Sequence, residues 1–257
     1  MRRIAILAAW TFWAMAPTAF AASIKAQDVI LASGSETIAG YLAAPQSPGQ
    51  HPALVVLHED WGLTGWVKEQ TRKLAEQGYV ALAVDLYRGQ VAYDPSLAYE
   101  LMVSTPPERA FQDMEAAIHF LAARADVNKD KIGSIGWSMG GKWSLVLAVK
   151  DPFLAACVNN YGSVPTDTDD IQKIHAPVLA IFGADDRTIA ASDVDEFETA
   201  MNSAHKSIDI KVYPNAGRGF ENSDNKLGYR EGAAEDAWQR TLTFLDRHLK
   251  NNFQYGH

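Results

Sequence analysis

The chain has 257 residues, 47% apolar and 21% charged, with a net charge of −8 and one cysteine. That length and mix suit one α/β domain with a substantial core, and they exclude the disordered, collagenous and disulfide-scaffold classes. The acidic balance argues against nucleic acid and anionic membrane surfaces as partners.

Arg2 and Arg3 open the chain, followed by the apolar run Ile4 to Met15 and by Ala19-Phe20-Ala21. A positive start, a short apolar stretch and a small-x-small site predict a cleavable export signal over residues 1–21. The run is short for a bilayer span of about 20 residues, which disfavours a retained membrane anchor. Cleavage lowers the Lys+Arg count from 23 to 21 against 31 Asp+Glu, giving −10. The expected product is a secreted or periplasmic protein with residues 22–257 as a single domain, taken as a monomer.

Apolar runs of strand length alternate with helical patterns, the signature of a mostly parallel sheet covered on both faces. Asp28 to Ser33 and Glu36 to Ala43 read as a hairpin turning at Gly34, and Pro45 to Pro52 as a loop. Ala53 to Leu57 is a continuous apolar strand, as a buried parallel sheet demands. Trp66 to Gln77 has helical periodicity and stops at Gly78, and Tyr79 to Val84 is the next strand. Glu108 to Arg124 is an amphipathic helix carrying Phe111, Met114, Ala117, Ile118 and Leu121 on one face. Lys131 to Gly136, Ala156 to Asn160, Pro177 to Phe182 and Ser207 to Tyr213 are strands. Met139 to Val149, Val194 to Ala204 and Gly232 to Lys250 are helices. Cys157, inside the apolar run Phe153 to Val158, reads as a small buried residue.

Gly136-Trp137-Ser138-Met139-Gly140-Gly141 falls between a predicted strand and a predicted helix. In that context G-x-S-x-G is a nucleophile elbow, a strained turn whose neighbours must be small. The helix N-terminus beneath it favours developing negative charge, and the Met139 N–H is an oxyanion donor. In this motif class the acid and then the histidine follow the serine along the chain. Val178 to Gly183 is followed by Ala184-Asp185-Asp186, and spacing favours Asp186 over Asp185 as the acid. After the next strand, Pro214-Asn215-Ala216-Gly217-Arg218-Gly219-Phe220 is the histidine loop by position, yet it holds Arg218. A guanidinium stays protonated at any workable pH and cannot take the Ser138 proton.

Ligand sites of open parallel sheets lie at the carboxyl ends of the strands. His51, His175 and His205 precede predicted strands, His119 and His248 lie within helices, and His257 ends the chain. Only His58 follows a strand at the right edge. It reads foremost as a structural residue bonding loop backbone, then as a substitute base or a substrate contact. The histidines are scattered and no metal-ligand spacing or dinucleotide fingerprint is present, so no cofactor and no metal are expected.

These residues bring a family into view: the chain resembles the dienelactone hydrolases, whose named activity is carboxymethylenebutenolidase. The resemblance rests on Leu57-His58-Glu59-Asp60-Trp61-Gly62-Leu63 and on Tyr79-Val80-Ala81-Leu82-Ala83-Val84-Asp85-Leu86-Tyr87-Arg88-Gly89. The Ser138 elbow, the run Tyr213 to Phe220 and the closing segment Ala233 to Leu249 extend it over nearly all of the chain beyond residue 21. It implies an α/β-hydrolase fold without a large cap domain and a small ester or lactone substrate. It further implies that Glu59 partners the resting nucleophile and that the Asp60 N–H is the second oxyanion donor. Tyr87 and Arg88 would fall near the substrate pocket, where Arg88 could pair a carboxylate, the alternative being a surface ion pair. Trp61, Trp66, Trp137 and Phe220 could form an apolar wall, although such residues are as often plain core.

Two departures stand out. The family's type enzyme carries cysteine at the elbow, whereas this chain has Ser138, and a serine needs a stronger base than an acidified thiol. Arg218 occupies the histidine position. A triad lacking one member retains roughly 10³–10⁴-fold acceleration over water, so a slow hydrolase is expected. The competing readings are a binding protein that uses the pocket without turnover, and a sequencing change or engineered substitution, since histidine and arginine codons can differ by one base.

Overall fold

A computed structural model describes residues 23–165 and 167–250, so the expected export signal over residues 1–21 lies outside the described residues. β1 (Ile24–Ser33) and β2 (Glu36–Pro45) form the opening hairpin. Then follow β3 (His51–Leu57), α1 (Gly65–Glu76), β4 (Val80–Val84), α2 (Pro95–Ser104) and α3 (Pro107–Ala122). The second half runs β5 (Val127–Trp137), α4 (Met139–Lys150), β6 (Cys157–Asn160), α5 (Thr168–Lys173), β7 (Val178–Gly183), α6 (Ala191–Ser203), β8 (Ile208–Tyr213) and α7 (Glu231–Leu245).

The eight strands form one sheet in the order β1-β2-β4-β3-β5-β6-β7-β8. β3 to β8 pair in parallel, and the β1–β2 hairpin joins antiparallel along β4. All five residues of β4 and Ala53 to Leu57 of β3 are buried, as expected for strands covered by helices on both faces. One apolar layer takes Met114 and Leu121 of α3, Leu145 and Leu147 of α4, and Phe197 and Met201 of α6. The other takes Trp66, Val67 and Leu74 of α1 with Ala237, Phe244 and Leu245 of α7. This is the mostly parallel, two-sided sheet expected from the sequence.

Two helices escaped the sequence pattern, each for a physical reason. α2 buries only Ala98 and Leu101 and leaves Tyr99, Met102 and Val103 exposed, so it carries no apolar stripe of helical period. α5 has six residues, too few to show a period. The closing helix is also shorter than its pattern: the α-helix ends at Leu245, and a π-helical turn carries Asp246–Lys250. Among the described residues no helix is long and apolar enough to cross a membrane, and no group of three or more His, Cys, Asp or Glu could hold a metal ion.

Candidate active site

The carboxyl ends of β3, β5, β7 and β8 bring four loops together. β5 ends at Trp137, and Ser138 turns the chain into α4 at φ 55° and ψ −116°. A non-glycine residue with positive φ is strained, and that strain lifts the side chain off the sheet. Sterics dictate the flanking glycines. A Cβ on Gly136 would sit 2.1 Å from the Gly140 carbonyl oxygen, and one on Gly140 would sit 2.1 Å from that of Leu57. The Ser138 N–H donates to the Asn160 carbonyl at 2.9 Å, which ties the turn to the end of β6. Met139 is the first residue of α4, so its N–H belongs to the donors that a helix N-terminus leaves without an intrahelical partner.

Arg218 reaches Ser138 from the loop after β8. Its Nε and Nη2 donate to Ser138 Oγ at 3.2 and 3.0 Å. Its Nη1 donates to Thr188 Oγ1 at 2.7 Å and lies 3.4 Å from Asp186 Oδ2. The guanidinium therefore spans the gap between the elbow serine and the acid after β7. The Asp186 side chain is almost wholly buried, and its Oδ1 also accepts from the Thr188 N–H and hydroxyl. Thr188 thus joins this hydrogen-bond network, a contact that no sequence spacing announced.

The Ser138 hydroxyl donates to Asp60 Oδ1 at 3.2 Å. The resemblance implies Glu59 as partner of the resting nucleophile, but the Ser138 contact goes to Asp60, while Glu59, in the wall of the same cavity, is held by other donors. Its Oε2 accepts from Asn222 Nδ2 at 2.6 Å and its Oε1 from the Tyr161 hydroxyl at 3.3 Å. Burial outweighs these two donors and pushes the Glu59 carboxyl up to about 7. Asp60, whose backbone N–H the resemblance implies as an oxyanion donor, also touches the serine through its carboxylate.

His58 is fully buried and has no free nitrogen. Nδ1–H donates to its neighbour's carbonyl, that of Glu59, at 2.6 Å, and Nε2 accepts the Leu86 N–H at 3.2 Å. Burial lowers its pKa, so the ring stays neutral with its lone pair spent. Neither a substitute base nor a substrate contact is available from that position.

A cavity of about 620 Å³ opens above Ser138, lined by Glu59, Asp60, Trp61, Thr64, Ala92, Ser138, Arg218, Asn222, Lys226 and Leu227 among others. Trp61 is in that wall, as expected. Tyr87 and Arg88 are not. The Tyr87 ring is buried edge-on to His58 with centroids 4.8 Å apart, and its hydroxyl lies 3.1 Å from Met139 Sδ. Arg88 points the other way, pairing Nη2 with the buried Asp113 at 2.9 Å and Glu36 at 3.1 Å, and Nη1 with the Thr37 carbonyl at 2.7 Å. The expectation that Tyr87 and Arg88 line the substrate pocket therefore gives way: Tyr87 packs between His58 and Met139, and Arg88 ties the start of β2 to α3 through an ion pair.

Tyr161 and Asn222 were not singled out from the sequence. Tyr161 had a readable signal, since the polar run Asn159-Asn160-Tyr161 ends a strand at the correct edge; it takes φ 42°, another strained position there. Asn222 had none, because its place depends on how the segment after β8 packs. Nearby, Glu221 accepts from Trp137 Nε1 at 3.1 Å while its buried Oε1 has no partner, and burial pushes its carboxyl up to about 8.

Comparison with known proteins agrees with this architecture. A sequence model of the dienelactone hydrolase family matches residues 38–249. A Synechocystis protein carrying the provisional name carboxymethylenebutenolidase is 30% identical over 247 residues, covering 88% of this chain and 98% of its own length. A Bradyrhizobium protein provisionally named a 2-oxo-3-(5-oxofuran-2-ylidene)propanoate lactonase is 30% identical over 234 residues, covering 86% of this chain and 94% of its own length. The crystal structure of a provisionally named dienelactone hydrolase from Klebsiella pneumoniae superposes with a TM-score of 0.81 at 28% identity, covering 88% of this chain and 99% of the other. A two-sided parallel sheet, a strained serine turn and a match over most of the sequence converge: this chain belongs to the dienelactone hydrolase family.

Proposed function

We propose that the chain hydrolyses carboxylic esters or lactones with Ser138 as the nucleophile, at a rate far below that of a complete triad. The observation that carries the proposal is the elbow: Ser138 stands at φ 55° at the head of α4, facing a cavity, with the Met139 N–H beside it. Ester hydrolysis needs a hydroxyl that can attack and donors for the resulting oxyanion, and this turn supplies both. The lactonase name of the Bradyrhizobium relative supports a lactone among the substrates. Asp186 and Arg218 take the places of acid and base, but a guanidinium has donors only. Arg218 therefore holds the serine and stabilises an alkoxide without accepting its proton.

A second reading has its own observation. Arg218 directs two N–H groups at Ser138 Oγ, the arrangement of a latch as much as of a relay. On that reading the chain binds an ester-like ligand without turning it over.

Hydrolysis of p-nitrophenyl acetate by the chain, by Ser138→Ala and by Arg218→His separates the two. Slow turnover that disappears in Ser138→Ala supports the hydrolase. Turnover seen only after Arg218→His supports the binding protein, and activity indifferent to Ser138 overturns both. Export is part of the proposal: protein recovered outside the cytoplasm should begin after Ala21, and N-terminal sequencing checks it.

A further inference from the structure

We infer that Asp60 is the general base for Ser138 in this chain, an inference that rests on the hydrolase reading above and adds the group it leaves missing. A hydroxyl has one proton to donate and two lone pairs to accept with. At Ser138 all three are spoken for: Arg218 Nε and Nη2 occupy the accepting side, and the O–H points at Asp60 Oδ1, 3.2 Å away. The other candidate acceptors are engaged elsewhere. Asp186 faces Arg218 and Thr188, Glu59 is held by Asn222 and Tyr161, and both nitrogens of His58 are bonded to backbone. Asp60 is half-buried in the cavity wall, so its carboxylate meets both the serine and the incoming ester.

The chemistry balances within these residues. One Arg218 N–H releases Ser138 Oγ, the freed lone pair bonds to the acyl carbon as the O–H proton passes to Asp60 Oδ1, and the carbonyl π pair moves onto its oxygen beside the Met139 N–H. Asp60 is neutral from that moment, so it does not repel the oxyanion next to it, while Arg218 remains positive and stabilises the charge. Collapse breaks the bond to the leaving oxygen, which takes the proton back from Asp60 and departs as the alcohol. In the second half a water gives its proton to Asp60 as its oxygen attacks the acyl-enzyme. Collapse of that intermediate returns the proton to Ser138 and releases the acid. A carboxylate is a weaker base than imidazole, by about 2.5 pKa units in ordinary peptides, so this route is slow, as the missing histidine requires.

The test uses kcat/KM for p-nitrophenyl acetate in the natural background and in Arg218→His. In the natural background Asp60→Asn, which keeps the backbone amide and the side-chain shape, should lose about 10²-fold or more, the contribution of a general base. Asp60→Glu, which keeps an acceptor, should stay within about 10-fold. Once Arg218→His supplies an imidazole, Asp60→Asn should cost less than about 10-fold, because proton transfer no longer passes through it. Equal losses in the two backgrounds would show Asp60 to be merely structural and overturn the inference, as would Ser138-dependent turnover that ignores Asp60→Asn. Turnover that survives Ser138→Ala, or that is absent altogether together with any labelling of Ser138 by a fluorophosphonate, overturns the hydrolase reading itself and takes this inference with it.

Discussion

Ser138 and Arg218 meet across one cavity, yet the two regions that present them are held by different physics. At the elbow, backbone presses on backbone. Any Cβ at Gly136 or Gly140 runs into a carbonyl oxygen at 2.1 Å, and the serine is kept at φ 55°. At the loop after β8, a long side chain is held by what it reaches: Ser138, Thr188 and Asp186. A turn made by close-packed backbone has no room for a methyl group. A bridge made by a side chain accepts any residue that spans the same partners, whatever its acid–base character. Fold and chemistry are separable on one side of this cavity and fused on the other.

The largest expected effect breaks the comparison on its tolerant side. Arg218→His places a group that can accept a proton between Ser138 and Asp186, and kcat/KM for a short activated ester should rise about 10³-fold or more, since loss of a triad histidine costs up to about 2 × 10⁶ in kcat. Melting temperatures measured alongside should stay close to the parent's. On the intolerant side, Gly140→Ala should destabilise by about 3 kcal/mol or more, as overpacking against backbone does. Urea denaturation checks it, and a fully stable variant would refute the steric account of the elbow.

Arg88→Met sharpens the distinction between pocket and scaffold. Removing the partner of the buried Asp113 should cost about 2 kcal/mol by thermal or urea unfolding. KM for a carboxylate-bearing ester should not move, because Arg88 faces away from the cavity. A further effect is electrostatic. Burial raises Glu59 to about 7 and Glu221 to about 8, so between the ordinary carboxylate range and those values the folded state binds more protons than the unfolded one. The contribution of these two carboxyls to stability should therefore decline as pH rises from roughly 4.5 to 8, against the opposite slope of the buried, neutral His58. Glu221→Gln should flatten the upper part of that decline, measured as unfolding free energy against pH.

Most of the architecture was legible in the chain because it follows from short-range pattern. Continuous apolar runs such as Leu54 to Leu57 suit only a sheet buried on both faces, and Gly136-x-Ser138-x-Gly140 suits only a turn too tight for side chains. The segments that stayed hidden, α2 and α5, lack a buried stripe or the length to display one. The site was legible only in part. The elbow motif points to Ser138 and the order of strand ends to Asp186 and Arg218, since a residue following a parallel strand lies at the ligand edge, while the family resemblance adds Asp60 and Trp61. The resemblance also implies Tyr87 and Arg88, and the strand-end rule singles out His58, yet all three turn away from the cavity.

By itself the sequence determined the sheet, the elbow and the place of Arg218 in the loop after the last strand, because each is a property of consecutive residues and their backbone. Only the tertiary structure decided where side chains from different loops point. Asp60 rather than Glu59 receives the Ser138 hydroxyl, His58 spends both nitrogens on backbone, and Thr188 and Asn222 enter the network. Those outcomes depend on rotamers selected by packing among residues up to 163 positions apart in the chain, which local pattern does not encode.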